Sequence, residues 1–216
     1  MHTNADELRH ADVAVEAWWW WGWTPEVDLG WFIGLELRGH RFDYWAGLVR
    51  EGEPYLYVEE LNGTGLRAGL EIKPPEMWAG HTCDSPFQQW SLGNEAHGVS
   101  IEHPDDVLRR PYGDLTPVTF DVEWYANGAA DPIAHGYQQA GEFDMEIELS
   151  DGVLAAEGGG VAVGGAEGVG GAEAEGAPAR AAVASASVTV TVGALSATTS
   201  TSRSSDCSSV SSRRYR

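Results

Sequence analysis

Val118-Thr119-Phe120-Asp121-Val122-Glu123-Trp124-Tyr125-Ala126 decides the fold class. Val118, Phe120, Val122, Trp124 and Ala126 fall on one side of an extended chain, and Thr119, Asp121, Glu123 and Tyr125 on the other. Apolar residues at period two mark a strand with one face on a core and one in water. Gly141–Leu149 repeats the pattern, with Phe143, Met145, Ile147 and Leu149 opposite Asp144, Glu146 and Glu148. The two acidic faces, if the strands pair, form either a solvated surface or a weak cation site.

The same period runs upstream. Gly30–Arg38 sets Trp31, Ile33, Leu35 and Leu37 on one side, and Arg41–Arg50 does so with Phe42, Tyr44, Ala46 and Leu48. Pro54–Leu61 follows. Gly39-His40 and Glu51-Gly52-Glu53 are short enough to be hairpin turns. Further strands are predicted at Leu70–Lys73, Met77–Cys83 and Gln88–Ile101, where Gly93 and Gly98 suggest a bulge or a close backbone approach. His103–Thr116 reads as a loop, and helix signals are nearly absent. The expected fold is all-β, an antiparallel meander closed as an up-and-down barrel, with a two-sheet sandwich as second choice. Closure removes the bare edges of an open sheet.

Val13–Trp23 carries five tryptophans. Trp19, Trp21 and Trp23 continue one face from Val13, Val15 and Ala17, while Trp18 and Trp20 share the other with Glu16. Exposed indoles invite association, so both faces are expected to be covered. One would face the barrel interior. The Trp18/Trp20 face would then meet a second barrel domain or another copy of the chain. Most of these indoles are expected to serve packing. The ligand-lining candidates are Trp19, Trp21, Trp31, Tyr44 and Trp124, because Trp and Tyr join a large apolar face to one orienting polar atom. Glu16 needs a partner on its face, with Arg38, Arg41 or Arg50 in view.

All 10 tryptophans lie at or before Trp124, and after Glu157 the chain is Gly, Ala, Val, Ser and Thr without apolar period. The expected organisation is an N-terminal arm over 1–12, a barrel over 13–157 and a disordered low-complexity tail over 158–216. That tail has the composition of GC-rich codons read out of frame, so a frameshift is one origin and a natural flexible extension the other. Cys83 and Cys207 fall one in each part, which argues against a structural disulfide and fits a reducing compartment. Met1–Ala11 lacks the apolar run of a signal peptide, and no stretch of about 18 apolar residues is present. A cytoplasmic protein without a membrane span is expected.

The net charge is -20 at pH 7, which repels phosphate backbones and anionic headgroups, so nucleic acid is not an expected partner. No Gly-x-Gly-x-x-Gly, P-loop or Gly-x-Ser-x-Gly string occurs. The histidines are scattered without metal-ligand spacing, so no metal and no cofactor are expected. Cys83 shares a strand face with His81 but has no third partner for catalysis.

Glu16-Ala17-Trp18-Trp19 followed by Leu29-Gly30-Trp31-Phe32 resembles the opening strands of lipocalin-like proteins related to carotenoid 1,2-hydratase (hydroxyneurosporene synthase), including an uncharacterised actinobacterial branch. Tyr44-Trp45-Ala46, Phe120-Asp121-Val122-Glu123-Trp124 and Gly136-Tyr137-Gln138-Gln139-Ala140-Gly141 resemble later strands of the same set. The resemblance covers about residues 13–157 and implies a lipocalin-like (calycin) barrel, normally followed by a second one. The family's catalytic carboxylate is expected in that second half, so no position is carried over. The expected function is binding of an apolar small molecule, an isoprenoid or lipid, rather than catalysis. The alternatives are a hydratase-like enzyme, with Glu16 and Asp43 as the acids to test, and a nonfunctional product lacking its second barrel.

Overall fold

The computed structural model describes residues 7–10, 12–108, 111–149 and 152–168. Ten strands follow in order: β1 (Val13–Thr24), β2 (Leu29–Arg38), β3 (Arg41–Arg50), β4 (Tyr55–Gly63), β5 (Met77–Ser85), β6 (Gln89–Ile101), β7 (Asp114–Ala126), β8 (Asp131–Ile133), β9 (Gly136–Leu149) and β10 (Gly152–Gly168). A 3-10 turn, Pro104–Leu108, sits in the segment before β7.

Eight of these strands form a ring. Antiparallel pairing runs β1-β2-β3-β4-β6-β7-β9-β10, and β10 returns to β1. The sheet closes on itself as an up-and-down barrel, which excludes the sandwich. β6 has two neighbours on one side: β5 pairs it from Met77↔Ala96 to Ser85↔Gln89, and β4 takes over at Tyr57↔Val99 and Tyr55↔Ile101. The turns after β1, β3 and β9 gather at one end, here the mouth. The turns after β2 and β5, with the N-terminal arm, gather at the other, the floor.

Inside, Trp18, Trp20, Trp31, Trp90, Trp124, Phe42, Phe120 and Phe143 form one buried cluster with Leu, Ile and Val. Rings this large fit because small residues face them. A Cβ on Gly141 would lie 2.4 Å from the Trp124 ring, one on Gly22 2.5 Å from Phe143, and one on Gly164 2.6 Å from Tyr137.

Three expectations are corrected. First, the barrel does not end at Glu157. β10 continues through Gly158–Gly168, pairing β9 from Gly152↔Leu149 to Gly165↔Gly136 and β1 from Trp23↔Gly159 to Val13↔Gly168. Backbone hydrogen bonding needs no apolar period, and the small residues of this strand answer the bulk of its neighbours. The tail predicted beyond Gly168 lies outside the described residues. Second, the faces of β1 are reversed. Trp18 and Trp20 point into the core, and Trp19, Trp21 and Trp23 point outward, partly exposed. Register explains this: Trp18↔Leu35 and Trp20↔Ile33 join the inward residues of β2, whereas Trp19 lies opposite Gly34. Third, Leu70–Lys73 is no strand of its own; only Ile72 bridges, to Leu66 and to Ala79. The sequence reading also missed β8, and the predicted loop gives way to β7 at Asp114. Gly98 does mark a close approach, since a Cβ there would meet the Tyr57 carbonyl oxygen at 2.4 Å.

Two outcomes test this architecture. A chain ending at Glu157 lacks the closing pairs and is expected to lose cooperative unfolding by circular dichroism, while one ending at Glu173, the limit of the first compact unit, retains it. Gly34→Val puts a side chain where the Trp19 ring lies 2.3 Å from an ideal Cβ, and is expected to lower stability by about 1–3 kcal/mol in denaturant titration.

Candidate functional site

At the mouth, residues of seven ring strands line a cleft of about 700 Å³. Leu29, Leu48, Leu56, Ile147, Leu149 and Leu154 give it apolar walls, and Arg50, Glu53 and Glu148 stand among its lining groups. These positions follow from strand phase: Leu48 and Leu56 are paired across β3 and β4, and Ile147 and Leu154 across β9 and β10.

Below the cleft the barrel is filled. Trp20 stacks on His81 at a centroid distance of 5.5 Å and meets Trp90 edge-on at 5.0 Å, while Trp31 meets Phe143 at 5.1 Å. Tyr44 donates to Asn94 Oδ1 at 2.8 Å, and Asn94 Nδ2 donates to the Val118 carbonyl at 2.7 Å. Burial pushes the Tyr44 phenol up, so it stays a neutral donor. Several polar atoms in this interior have no hydrogen-bond partner: the indole nitrogens of Trp18, Trp20, Trp31 and Trp124, together with His81 Nε2.

His81 has a defined tautomer. Its Nδ1 lies 2.7 Å from the Leu70 carbonyl oxygen, which can only accept, so Nδ1 carries the proton. Burial lowers its pKa from 6.5 to about 4, against the opposing pull of the Leu70 carbonyl. Below pH 6.5 the unfolded chain takes up a proton that the folded barrel refuses. The stability this group contributes is therefore present above pH 6.5 and lost as pH falls toward 4. The full interval corresponds to about 3 kcal/mol. Denaturant unfolding between pH 7 and 4 is expected to show that decline, and His81→Gln, which keeps a donor without a titrating ring, to flatten it.

The floor holds a group that the sequence did not single out. Glu7, on the N-terminal arm, is buried. Its Oε2 accepts from Trp90 Nε1 at 2.8 Å, from the Phe87 backbone N–H at 3.1 Å and from Cys83 Sγ at 3.5 Å, and its Oε1 accepts from the Tyr137 hydroxyl. Burial, then the Glu7 charge, pushes the Cys83 thiol up to about 12, so it is no nucleophile. A lone Glu in a polar N-terminal stretch gives no periodic signal, which is why pattern reading passed over it.

The sequence candidates separate in space. Trp31, Tyr44 and Trp124 are inside the barrel, in the filled interior. Trp19 and Trp21 are on the outer surface, where Trp19 stacks on Trp45 at 5.3 Å. They line no interior, and the outward tryptophan face is Trp19/Trp21/Trp23 rather than Trp18/Trp20. Glu16 is buried at the floor, but its partner is none of the expected arginines: His10 donates from its backbone N–H at 3.0 and 2.9 Å, and its ring Nδ1 lies at 2.6 Å. Asp43 lies outside the core, held by Arg38 and by the Asn62 backbone N–H at 2.6 Å. Neither acid lines the mouth cleft.

On the outer surface, β7 and β9 bring Asp121 against Glu146 and Glu123 against Asp144. Partial burial, then Glu95, Glu146 and Glu123, raises the Asp121 pKa. No group of three or more His, Cys, Asp or Glu among the described residues is placed to hold a metal ion. No helix among the described residues is long and apolar enough to cross a membrane.

Searches of family models and of curated proteins return no match to this chain. Among solved structures, CghA with Sch210972 is similar at a TM-score of 0.35 and 8% identity, covering 71% of this chain and 46% of that one. The match thus spans less than half of that protein's length.

Proposed function

We propose that the barrel is a binding module that takes an apolar small molecule, an isoprenoid or a lipid, into its mouth. The supporting observation is the 700 Å³ cleft with leucine and isoleucine walls. That volume lies within the range of small-molecule sites, roughly 300–1,000 Å³. Removing an apolar body of this size from water is favourable by about 25 cal/mol per Å² buried, while Arg50, Glu53 and Glu148 offer polar contacts to orient one end. The interior below is occupied by rings, so the ligand rests on the core instead of threading it. A hydratase-like reaction needs a carboxylic acid at the bound double bond, and the two acids singled out for that role are engaged elsewhere, with His10 and with Arg38.

The test is a panel of lipids and isoprenoids followed by tryptophan fluorescence. Saturable quenching is expected for the native chain. Leu56→Arg, which puts a charge into the cleft, is expected to weaken binding at least tenfold, and Trp19→Ala, on the outer surface, to leave it unchanged. Quenching insensitive to Leu56→Arg, or turnover of the bound molecule, overturns the reading.

A further inference from the structure

The carboxylate of Glu7 is held by a receptor that the barrel wall builds without the arm. Its donors come from four places: Cys83 on β5, Phe87 in the β5–β6 turn, Trp90 on β6 and Tyr137 on β9. Trp90 and Tyr137 are themselves buried. Phe87 has a φ of 58°, a left-handed conformation that non-glycine residues seldom adopt, and this turn directs its N–H to the carboxylate. Gln139 Nε2 fixes the turn by donating to the Phe87 carbonyl at 3.1 Å and to the Gly128 carbonyl at 2.7 Å. The Phe87 and Tyr137 rings also pack edge-on at 5.1 Å.

Among the described residues the arm supplies one functional group to this place, the Glu7 carboxylate. Its other described attachments lie apart: His10 on Glu16, and Arg9 donating to the exposed Gly39 carbonyl at 2.9 Å. The four donors converge on the two carboxylate oxygens. Both carboxylate oxygens have buried donors, and hydrogen bonds to an ionised acceptor are shorter and stronger than neutral ones.

We propose that the barrel floor is a carboxylate-binding site, occupied in cis by Glu7, which a small monocarboxylate enters when Glu7 is vacated. The site is distinct from the mouth cleft, with which it shares no residue, and it stands whether or not the mouth binds a ligand.

Acetate has the size of the missing head group and is the probe. Full-length Glu7→Ala, unfolded thermally at pH 7 in rising sodium acetate, is expected to gain stability saturably over sodium chloride of equal ionic strength. At ten times the dissociation constant the folded-to-unfolded ratio rises about elevenfold. Glu7→Gln fills the site with its own amide and is expected to respond to acetate no more than to chloride. If Glu7→Ala does not fold alone, refolding yield in acetate against chloride is the readout, and a higher yield in acetate is expected. Equal effects of the two salts on Glu7→Ala, or an equal acetate response in Glu7→Gln, overturn the proposal.

Discussion

Ring volume against missing side chains is the constraint on which this barrel depends. Its interior holds more indole than a ring of eight strands accommodates if every inward position bears a side chain of ordinary size. The strand that closes the ring resolves this by contributing very little: Gly158 faces inward beside Phe143, Ala162 beside Trp20, and Gly164 between Trp18 and Tyr137, while Gly160 lies between Gly22 and Gly141. Close packing tolerates few voids and few overlaps, so the bulk of β1 and the emptiness of β10 are one arrangement. The outer surface repeats the device, with Trp19 lying over Gly34 and Phe32 over Gly47.

The charges are sorted by the same geometry. In a chain of net charge -20, the buried carboxylates Glu7, Glu16, Glu36 and Asp43 each have a hydrogen-bond donor or an arginine partner, as burial of a charged group requires. Glu7 and Glu16 fasten the arm to the floor. On the outer faces of β7 and β9 like charges sit opposite each other and depend on solvent and salt for screening, with Gln89 and Ser91 donating to Glu123. The barrel thus has one aromatic outer wall and one acidic outer wall.

Most of this was legible in the sequence, and the failures have physical causes. Period two located β7 and β9 because their outward residues are charged, giving a sharp contrast between faces. β1 has no such contrast: both faces carry tryptophan, so its phase is set only by register against β2, which a single strand does not reveal. The second half of β10, past Glu157, was invisible because its inward side chains are nearly absent, and a strand that works through its backbone resembles a low-complexity run. The cleft itself follows from the inward leucines at the strand ends. The floor site does not, because it joins Glu7 to Tyr137, 130 positions apart in the sequence, a contact no local pattern encodes.

Closure by the last strand has a kinetic consequence. β1 and β10 are the first and last strands of the ring in chain order, and their pairing spans about the whole domain. Such long-range contacts form slowly. During synthesis, β1 emerges with both edges and all five indoles and must wait for the final glycines to leave the ribosome. Until then two unpaired strand edges are open to other chains. The interval between translating β9 and translating β10 is the time at which this protein is most exposed to aggregation, and the period in which a chaperone has most to protect.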